Sequence, residues 1–424
     1  MLRNSTSEET QERMNEGLVT LFQALNRNAV NYFLLTDFES DLVSNDIDLF
    51  VHPGHKQLFE ETLLACGWYK RKEPTHHYNH YFYYLPNSDL YLDVKYALSF
   101  ANGPDKCFSY NRQEEAMQDT ILNSKGIRRP KGIHAVVLYA AHLGYKERGK
   151  LEHKHKHYLS SFISLYDAEL EKASAPVVQA LRTWLELSFP HNIQKLQNIL
   201  EPHFRYEQKK MVRNKRHLKY GYGLKVLFLG TDGSGKTTLI KAVDDKLNLK
   251  TNKLYLGMGD TGWTSSFSKK LYNHKFKIKL VDKFFSVLKT FLVLPAELCL
   301  RMLPVKLRSK YAVVLIDRFP GSVFLDKKFG KKTIYESILP QPDLIFFLYA
   351  DPETLVQRKP DEITLEKSTA DIAKFRQVAE VVSKGNYIGI DTSKLSVNEA
   401  RDFIISEIFK HSKVYTNLLT AKFN

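Results

Sequence analysis

Between residues 224 and 247 an apolar run, a glycine-rich octet and a helical pattern follow one another without a gap. That succession restricts the fold more than anything else in the chain. The octet reads Gly230-Thr231-Asp232-Gly233-Ser234-Gly235-Lys236-Thr237, continues into Thr238, and fits Gly-x4-Gly-Lys-[Ser/Thr]. Each position has a chemical reason. Glycines let successive backbone N–H groups curl round an anion with no Cβ in the way, and the N-terminus of the following helix adds its dipole. Lys236 is placed to reach the β and γ phosphates of a nucleoside triphosphate, and the Thr237 hydroxyl to ligate Mg²⁺. The expected binding set is Gly230, Asp232, Gly233, Ser234, Gly235, Lys236, Thr237 and Thr238. An ordinary glycine-rich turn is the bland alternative. The strand pattern at 224–229 and the helix pattern at 238–247 argue against it.

Further strands are expected at 312–316, 344–349 and 387–390, with helices between them, so this half of the chain is read as an α/β parallel sheet wrapped by helices. Three motifs then occur in order. They are the phosphate loop in the form Gly-x-Asp-Gly-x-Gly-Lys-Thr-Thr, the strand exit Asp317-Arg318-Phe319 followed by Ser322, and Pro342-Asp343-Leu344 leading through Asp351-Pro352-Glu353 to Arg358. On these motifs, over residues 225–409, the chain resembles the thymidylate kinase family. The resemblance implies an ATP-dependent kinase in which Asp317 lies on the Mg²⁺ side of the loop and Arg318 grips the acceptor phosphate. It implies that Asp232 accepts a hydrogen bond from an acceptor sugar hydroxyl, and that Arg358 and Lys359 sit at the mobile lid. The expected catalytic set is Lys236, Asp317, Arg318 and Arg358, with Arg358 delivered by lid closure and Lys359 or Arg376 as its substitutes. Tyr255-Leu-Gly-Met-Gly-Asp260 stands where bacterial members carry Arg-Glu-Pro-Gly-Gly-Thr, so the acceptor is read broadly, as a nucleotide-like or sugar-containing molecule.

Toward the N-terminus, residues 8–28 read as an amphipathic helix, with Met14, Leu18, Leu21, Phe22 and Leu25 on one face. Strand-like runs follow at 31–35, 47–51, 81–85 and 90–96, and helical patterns from 134 to 203. Asp46 and Asp48, two apart in a strand, point to one face and are candidate Mg²⁺ ligands, with Asp93 in a later strand as the third carboxylate. Over residues 31–94 this pattern resembles the nucleotidyltransferase superfamily of polymerase-β type, although Leu35-Thr36-Asp37 stands where that family carries Gly-Ser. An α+β domain with a trailing helical bundle is the implied fold. The histidines His76, His77 and His80, like His153, His155 and His157, are read as parts of a solvated basic face.

A net charge of +15 points to acidic partners: nucleotides, nucleic acid or an anionic membrane face. The segment 265–310 sets Lys269, Lys270, Lys275, Lys277, Lys279, Lys283 and Lys289 among Phe276, Phe284, Phe285 and Phe291. It is read as a packed helix with a charged face, peripheral contact with an anionic membrane being the alternative. Its most apolar part, 284–303, is broken by Lys289, Pro295, Glu297 and Arg301, and so falls short of a spanning helix. Three cysteines without paired spacing and a polar first dozen residues point to a reducing, cytoplasmic setting, peripheral to a membrane in that alternative.

The expected organisation is a nucleotidyltransferase-like domain at 1–204, a basic linker at 205–222 and a thymidylate-kinase-like domain at 223–424. The expected activity is Mg·ATP-dependent phosphoryl transfer. A bifunctional kinase and nucleotidyltransferase is the first alternative, and an NTPase associated with nucleic acid or membrane the second.

Overall fold

The computed structural model describes residues 7–35, 46–72, 80–86, 88–101, 106–123, 125–146, 151–169, 175–208, 223–257, 264, 266–274, 277, 279–320, 338–339 and 341–420. Thr36, Asp37, His76, His77, Met258–Asp260, Lys275, Phe276, Ser322 and most of the expected linker, 209–222, lie outside the described residues. Contacts divide the chain into two units, residues 1–216 with 419–424, and residues 217–418.

In the first unit, helix α1 (Ser7–Arg27) buries Leu18, Leu21, Phe22 and Leu25, the stripe its periodicity announces. Strands β1 (Tyr32–Leu34), β2 (Asp46–Val51), β3 (Tyr69–Arg71), β4 (His80–Tyr84) and β5 (Tyr91–Lys95) form a mixed sheet in the order β1-β2-β5-β4-β3, and Leu419–Thr420 closes its far edge. Within it β2 and β5 run parallel and the remaining pairs antiparallel. Every residue of β5 is buried, as a central strand covered on both faces requires. Helix α2 (Lys56–Ala65) joins β2 to β3 and contributes Phe59 and Leu63 to the same core.

Strands β6 (Ser99–Ala101) and β7 (Lys106–Tyr110) precede helix α3 (Gln113–Gln118) and the antiparallel pair β8 (Thr120–Leu122) and β9 (Arg128–Pro130). Helices α4 (Ile133–Ala141), α5 (His153–Glu169), α6 (Pro176–Leu187) and α7 (Ile193–Leu200) then pack around α4, in which eight residues, His134 through Ala141, are buried.

Two boundaries differ from the sequence expectation. Residues 205–208, assigned to the linker, are the body of strand β10 (Phe204–Gln208), which pairs antiparallel with β7. Its alternating rings decide this: Phe204 lies 5.3 Å from Tyr110, and Tyr206 lies 5.7 Å from Phe108. In the sequence Phe204-Arg205-Tyr206-Glu207 runs directly into the basic stretch from Lys209, and so reads as its beginning. The chain's end likewise leaves the second unit, because Leu419 and Thr420 pair with Arg71 and Lys70 of β3.

The second unit holds a parallel sheet of β11 (Lys225–Gly230), β12 (Thr251–Tyr255), β13 (Val313–Asp317), β14 (Leu344–Tyr349) and β15 (Ile388–Asp391) in the order β12-β13-β11-β14-β15. Val226 through Leu229 and Val313 through Ile316 are fully buried, which is why those segments read as unbroken apolar runs. Helix α8 (Lys236–Lys246) follows β11. Helices α9 (Ser266–Asn273), α10 (Lys279–Leu288) and α11 (Leu294–Arg308) come between β12 and β13, with a π-helical turn at Lys289–Val293 joining the last two. Helices α12 (Pro352–Arg358), α13 (Leu365–Ser383), α14 (Val397–Lys410) and α15 (Ser412–Leu418) complete the unit. α14 packs on α8, and α13 on β11 and β14. Chain order changes direction at β11. The carboxyl ends of β11 and its neighbour β13 therefore open the crevice where open α/β sheets take their ligands.

Candidate active site

Strand β11 ends at Gly230, whose φ of 152° and close approach to the Leu348 carbonyl leave no room for a Cβ. The chain turns through Gly235 at φ 82°, which caps α8 in a left-handed conformation that glycine adopts without strain. The turn folds the loop round Lys236. This side chain is buried and donates to Gly230 O at 3.0 Å, Thr231 O at 2.5 Å and Ser234 Oγ at 3.5 Å. Burial pulls the Lys236 ammonium down to about 8, against the pull of Asp232 in the other direction.

One residue on, the Thr237 hydroxyl donates to Asp317 Oδ2 at 3.5 Å. Asp317 ends β13, and its other oxygen, Oδ1, is buried with no hydrogen-bond partner among the described residues. Two hard oxygen donors, one of them unsatisfied, fit a Mg²⁺ ion. Arg318, the next residue, holds φ at 63°, a left-handed conformation that costs a non-glycine residue on the order of 1–2 kcal/mol. Its Nη2 meets Asp232 Oδ1 of the loop at 2.7 Å, and its guanidinium lies 5.8 Å from the centre of the Tyr255 ring. Asp-Arg at the end of β13 and Asp232 in the loop, 85 residues earlier than Asp317, thus meet at one point.

Arg358, expected from the sequence to arrive by lid closure, already touches the phosphate loop. At the C-terminal end of α12 it donates to Gly233 O at 3.2 Å, Thr392 Oγ1 at 3.1 Å and Thr392 O at 2.7 Å. It staples the phosphate loop to the segment after β15, and three hydrogen bonds hold it there. Lys359, its neighbour, pairs with Glu362 at 2.6 Å and keeps 39% of its side chain exposed. Both basic residues line a cavity of 540 Å³ with Gly235, Lys236, Thr237 and Arg318. The far wall is Thr392 and Leu395–Val397 with Ala400, where Ser396 and Glu399 cap α14 reciprocally. Nothing in the sequence reading had named this wall. The signal was available, since residues just beyond the carboxyl end of a parallel strand line such crevices. A second cavity, of 290 Å³, shares Asp232 and is lined by Thr231, Glu362, Lys367, Ser368 and Asp371.

The N-terminal carboxylates behave differently. The parallel register sets Asp48 beside Asp93 and Asp46 beside Tyr91, so all three aspartates share one face of the sheet. Asp93, however, is hydrogen-bonded to Nε2 of His80, and both residues are buried. The sequence expectation that His80 belongs to a solvated face is therefore corrected: it is a core residue, buried beside Phe82 on an aromatic strand. His153 and His157 are exposed on α5, as expected. Among the described residues no group of three His, Cys, Asp or Glu is arranged to hold a metal ion, Asp46, Asp48 and Asp93 included.

The comparisons with known proteins bear on the second unit. The profile of the thymidylate kinase family matches residues 228–404. A probable thymidylate kinase of Methanocaldococcus jannaschii is 30% identical over 190 residues, which are 42% of this chain and 93% of the relative. Another, from Sulfolobus acidocaldarius, is 24% identical over 194 residues, 41% of this chain and 90% of the relative. Among solved structures, a deoxyadenosine kinase from M. mycoides with bound dATP aligns with 44% of this chain and 99% of its own at 16% identity and a TM-score of 0.28. A match to nearly the whole of a relative at that identity, on a segment that contains the phosphate loop, Asp317-Arg318 and Arg358, makes this chain a member of the thymidylate kinase family and an ATP-dependent phosphotransferase.

Proposed function

We propose that the second unit transfers the γ-phosphoryl group of ATP to a small acceptor that is a nucleotide or a nucleotide-like, sugar-containing molecule. The observation that carries this reading is the convergence of Lys236, Thr237, Asp317, Asp232 and Arg318 at the carboxyl end of β11 and β13. In it the phosphates of ATP lie on the loop, and Lys236 exchanges its carbonyl partners for the β and γ oxygens. The nucleoside extends toward Thr392 and Leu395–Val397, with Arg358 fixing the loop that shapes that wall. Thr237 and Asp317 would hold Mg²⁺, which when bound draws charge from the β and γ oxygens. Arg318 and Asp232 mark the acceptor side, the arginine for an acceptor phosphate and the carboxylate for a hydroxyl. The 290 Å³ cavity that shares Asp232 is read as part of the acceptor's space. Lys359, which pairs with Glu362 and stays partly exposed, takes the part of a lid cation.

Release of ADP from ATP, screened across nucleoside monophosphates, deoxynucleosides, sugars and polyols, tests this reading. The expected result is turnover that depends on one class of acceptor. Turnover without any acceptor, or stimulated by nucleic acid or lipid in its place, would instead identify an NTPase.

A second reading concerns the first unit, whose mixed sheet and shared aspartate face favour kinship with the nucleotidyltransferase superfamily. With Asp93 engaged by His80, no metal-dependent nucleotidyl transfer is derived for it. Mg²⁺-dependent labelling of an acceptor with nucleotide, abolished by Asp48→Asn, would restore the bifunctional alternative.

A further inference from the structure

Helices α10 and α11, with the π-helical turn between them, form one helical run from Lys279 to Arg308. One side of it packs inward: Leu294, Leu298, Met302 and Val305 join the core of the second unit, and Lys289 turns in to donate to the His274 carbonyl. The other side is apolar as well, yet it faces solvent. Phe284, Leu288, Leu292, Leu300, Leu303 and Leu307 are between 36% and 67% exposed. Their spacing of three or four, with Ala296 completing the series, makes them a single stripe about 35 Å long at 1.5 Å per residue. Repeated steps of four drift round a helix of 3.6 residues per turn, and the wider π turn at Lys289–Val293 takes up part of that drift. Scattered surface leucines need no explanation, but a continuous apolar stripe of this length marks a contact surface.

Charge selects the occupant. Residues 264–310 carry eleven lysines and arginines against two acidic residues, Asp282 and Glu297, and Glu297 is buried against Arg301. Lys270, Lys277, Lys283, Lys306 and Lys310 are all exposed. A second copy of the chain laid on the stripe would set lysine against lysine, which opposes self-association. Among the described residues no helix is long and apolar enough to cross a bilayer, so the stripe lies along a surface and does not span it. An apolar face flanked by lysines is the chemistry that seats a helix in the headgroup boundary of an anionic bilayer. We propose that the exposed face of α10 and α11 docks the protein on anionic membrane lipid.

The test is flotation of the full-length chain with two kinds of vesicle, phosphatidylcholine alone and phosphatidylcholine mixed with phosphatidylglycerol. Binding is expected only to the mixed vesicles and is expected to weaken as salt is raised. Leu300→Glu and Leu303→Glu should each lower partition about tenfold or more, since each removes a side chain from the apolar boundary. Neither residue touches the kinase cavity, so ATP turnover serves as the control that the variants are folded. Three results would overturn the proposal: no preference for phosphatidylglycerol, equal binding by the double variant, or light scattering that reveals a dimer which the two glutamates dissociate.

Discussion

The phosphate loop predicts a pH dependence of nucleotide binding whose size follows from the burial of one lysine. Lys236 is 7% exposed and titrates at about 8 in the nucleotide-free protein, because burial disfavours its charged form. A bound triphosphate sets negative charge beside it and returns its pKa toward the ordinary lysine value of about 10.4. Binding therefore takes up a proton wherever the nucleotide-free protein has lost one. Near pH 7 the ammonium is already in place in about ten molecules of eleven and affinity is close to full. At about pH 9 roughly one molecule in eleven remains protonated, so affinity should fall about tenfold from its value near pH 7, about 1.4 kcal/mol. The same group acts on folding with a definite sign. Its folded-state pKa is depressed, so the unfolded chain holds the proton longer, and this lysine's contribution to stability improves as pH rises from about 8 toward 10. Calorimetric titration with a non-hydrolysable ATP analogue, in two buffers of different ionisation enthalpy, measures affinity and proton uptake together. A flat affinity between those pH values with no proton uptake refutes the argument. Lys236→Ala should lose the slope along with phosphoryl transfer, while its fold is retained.

Three further outcomes follow from the same geometry. Arg358→Ala removes three hydrogen bonds, one to Gly233 of the phosphate loop and two to Thr392 after β15, so the Kd for ATP should rise roughly tenfold or more with a smaller effect on kcat; a lowered kcat with unchanged ATP binding would support the role of lid cation for Arg358. Asp317→Asn keeps the shape of β13's end but removes a charge, so Mg²⁺-dependent turnover should fall at least a hundredfold, to order of magnitude, and the activity ratio of wild type and variant checks it. Asp93→Ala leaves His80 without that carboxylate in a buried strand and should destabilise the first unit by about 1–3 kcal/mol, read as the lower transition in urea while ATP turnover persists in the native protein.

What was legible in the sequence was whatever depends on short stretches. Gly230 through Thr237 announces its own conformation, because left-handed glycines and a helix N-terminus are local necessities. The buried strands β11, β13 and β14 announce themselves too, since a parallel strand covered on both faces must be apolar throughout. Contacts between distant segments were not legible. Arg358 reads as a lid residue from its place after Asp351-Pro352-Glu353, yet its partner Thr392 lies 34 residues on, and nothing near Arg358 discloses that bond. His80 reads as polar surface because two other histidines stand before it. Its burial comes from register, which puts it on a strand whose neighbour presents Asp93.

The first unit shows how far a carboxylate pattern goes without its surroundings. Alternation along β2 and the parallel pairing with β5 do bring Asp46, Asp48 and Asp93 to one face, and that part follows from strand geometry alone. Whether such a face can hold a cation depends on what competes for its oxygens. A histidine bonded to Asp93 takes one of them and helps fix the carboxylate's orientation. In the second unit Asp317 keeps one buried oxygen with no hydrogen-bond partner among the described residues, beside the hydroxyl of Thr237. An unsatisfied buried carboxylate oxygen is costly to leave so in a fold unless a ligand completes it. For the Mg²⁺ that the proposed reaction takes, that oxygen at the end of β13 and the Thr237 hydroxyl at the start of α8 are the donors beside the phosphate loop.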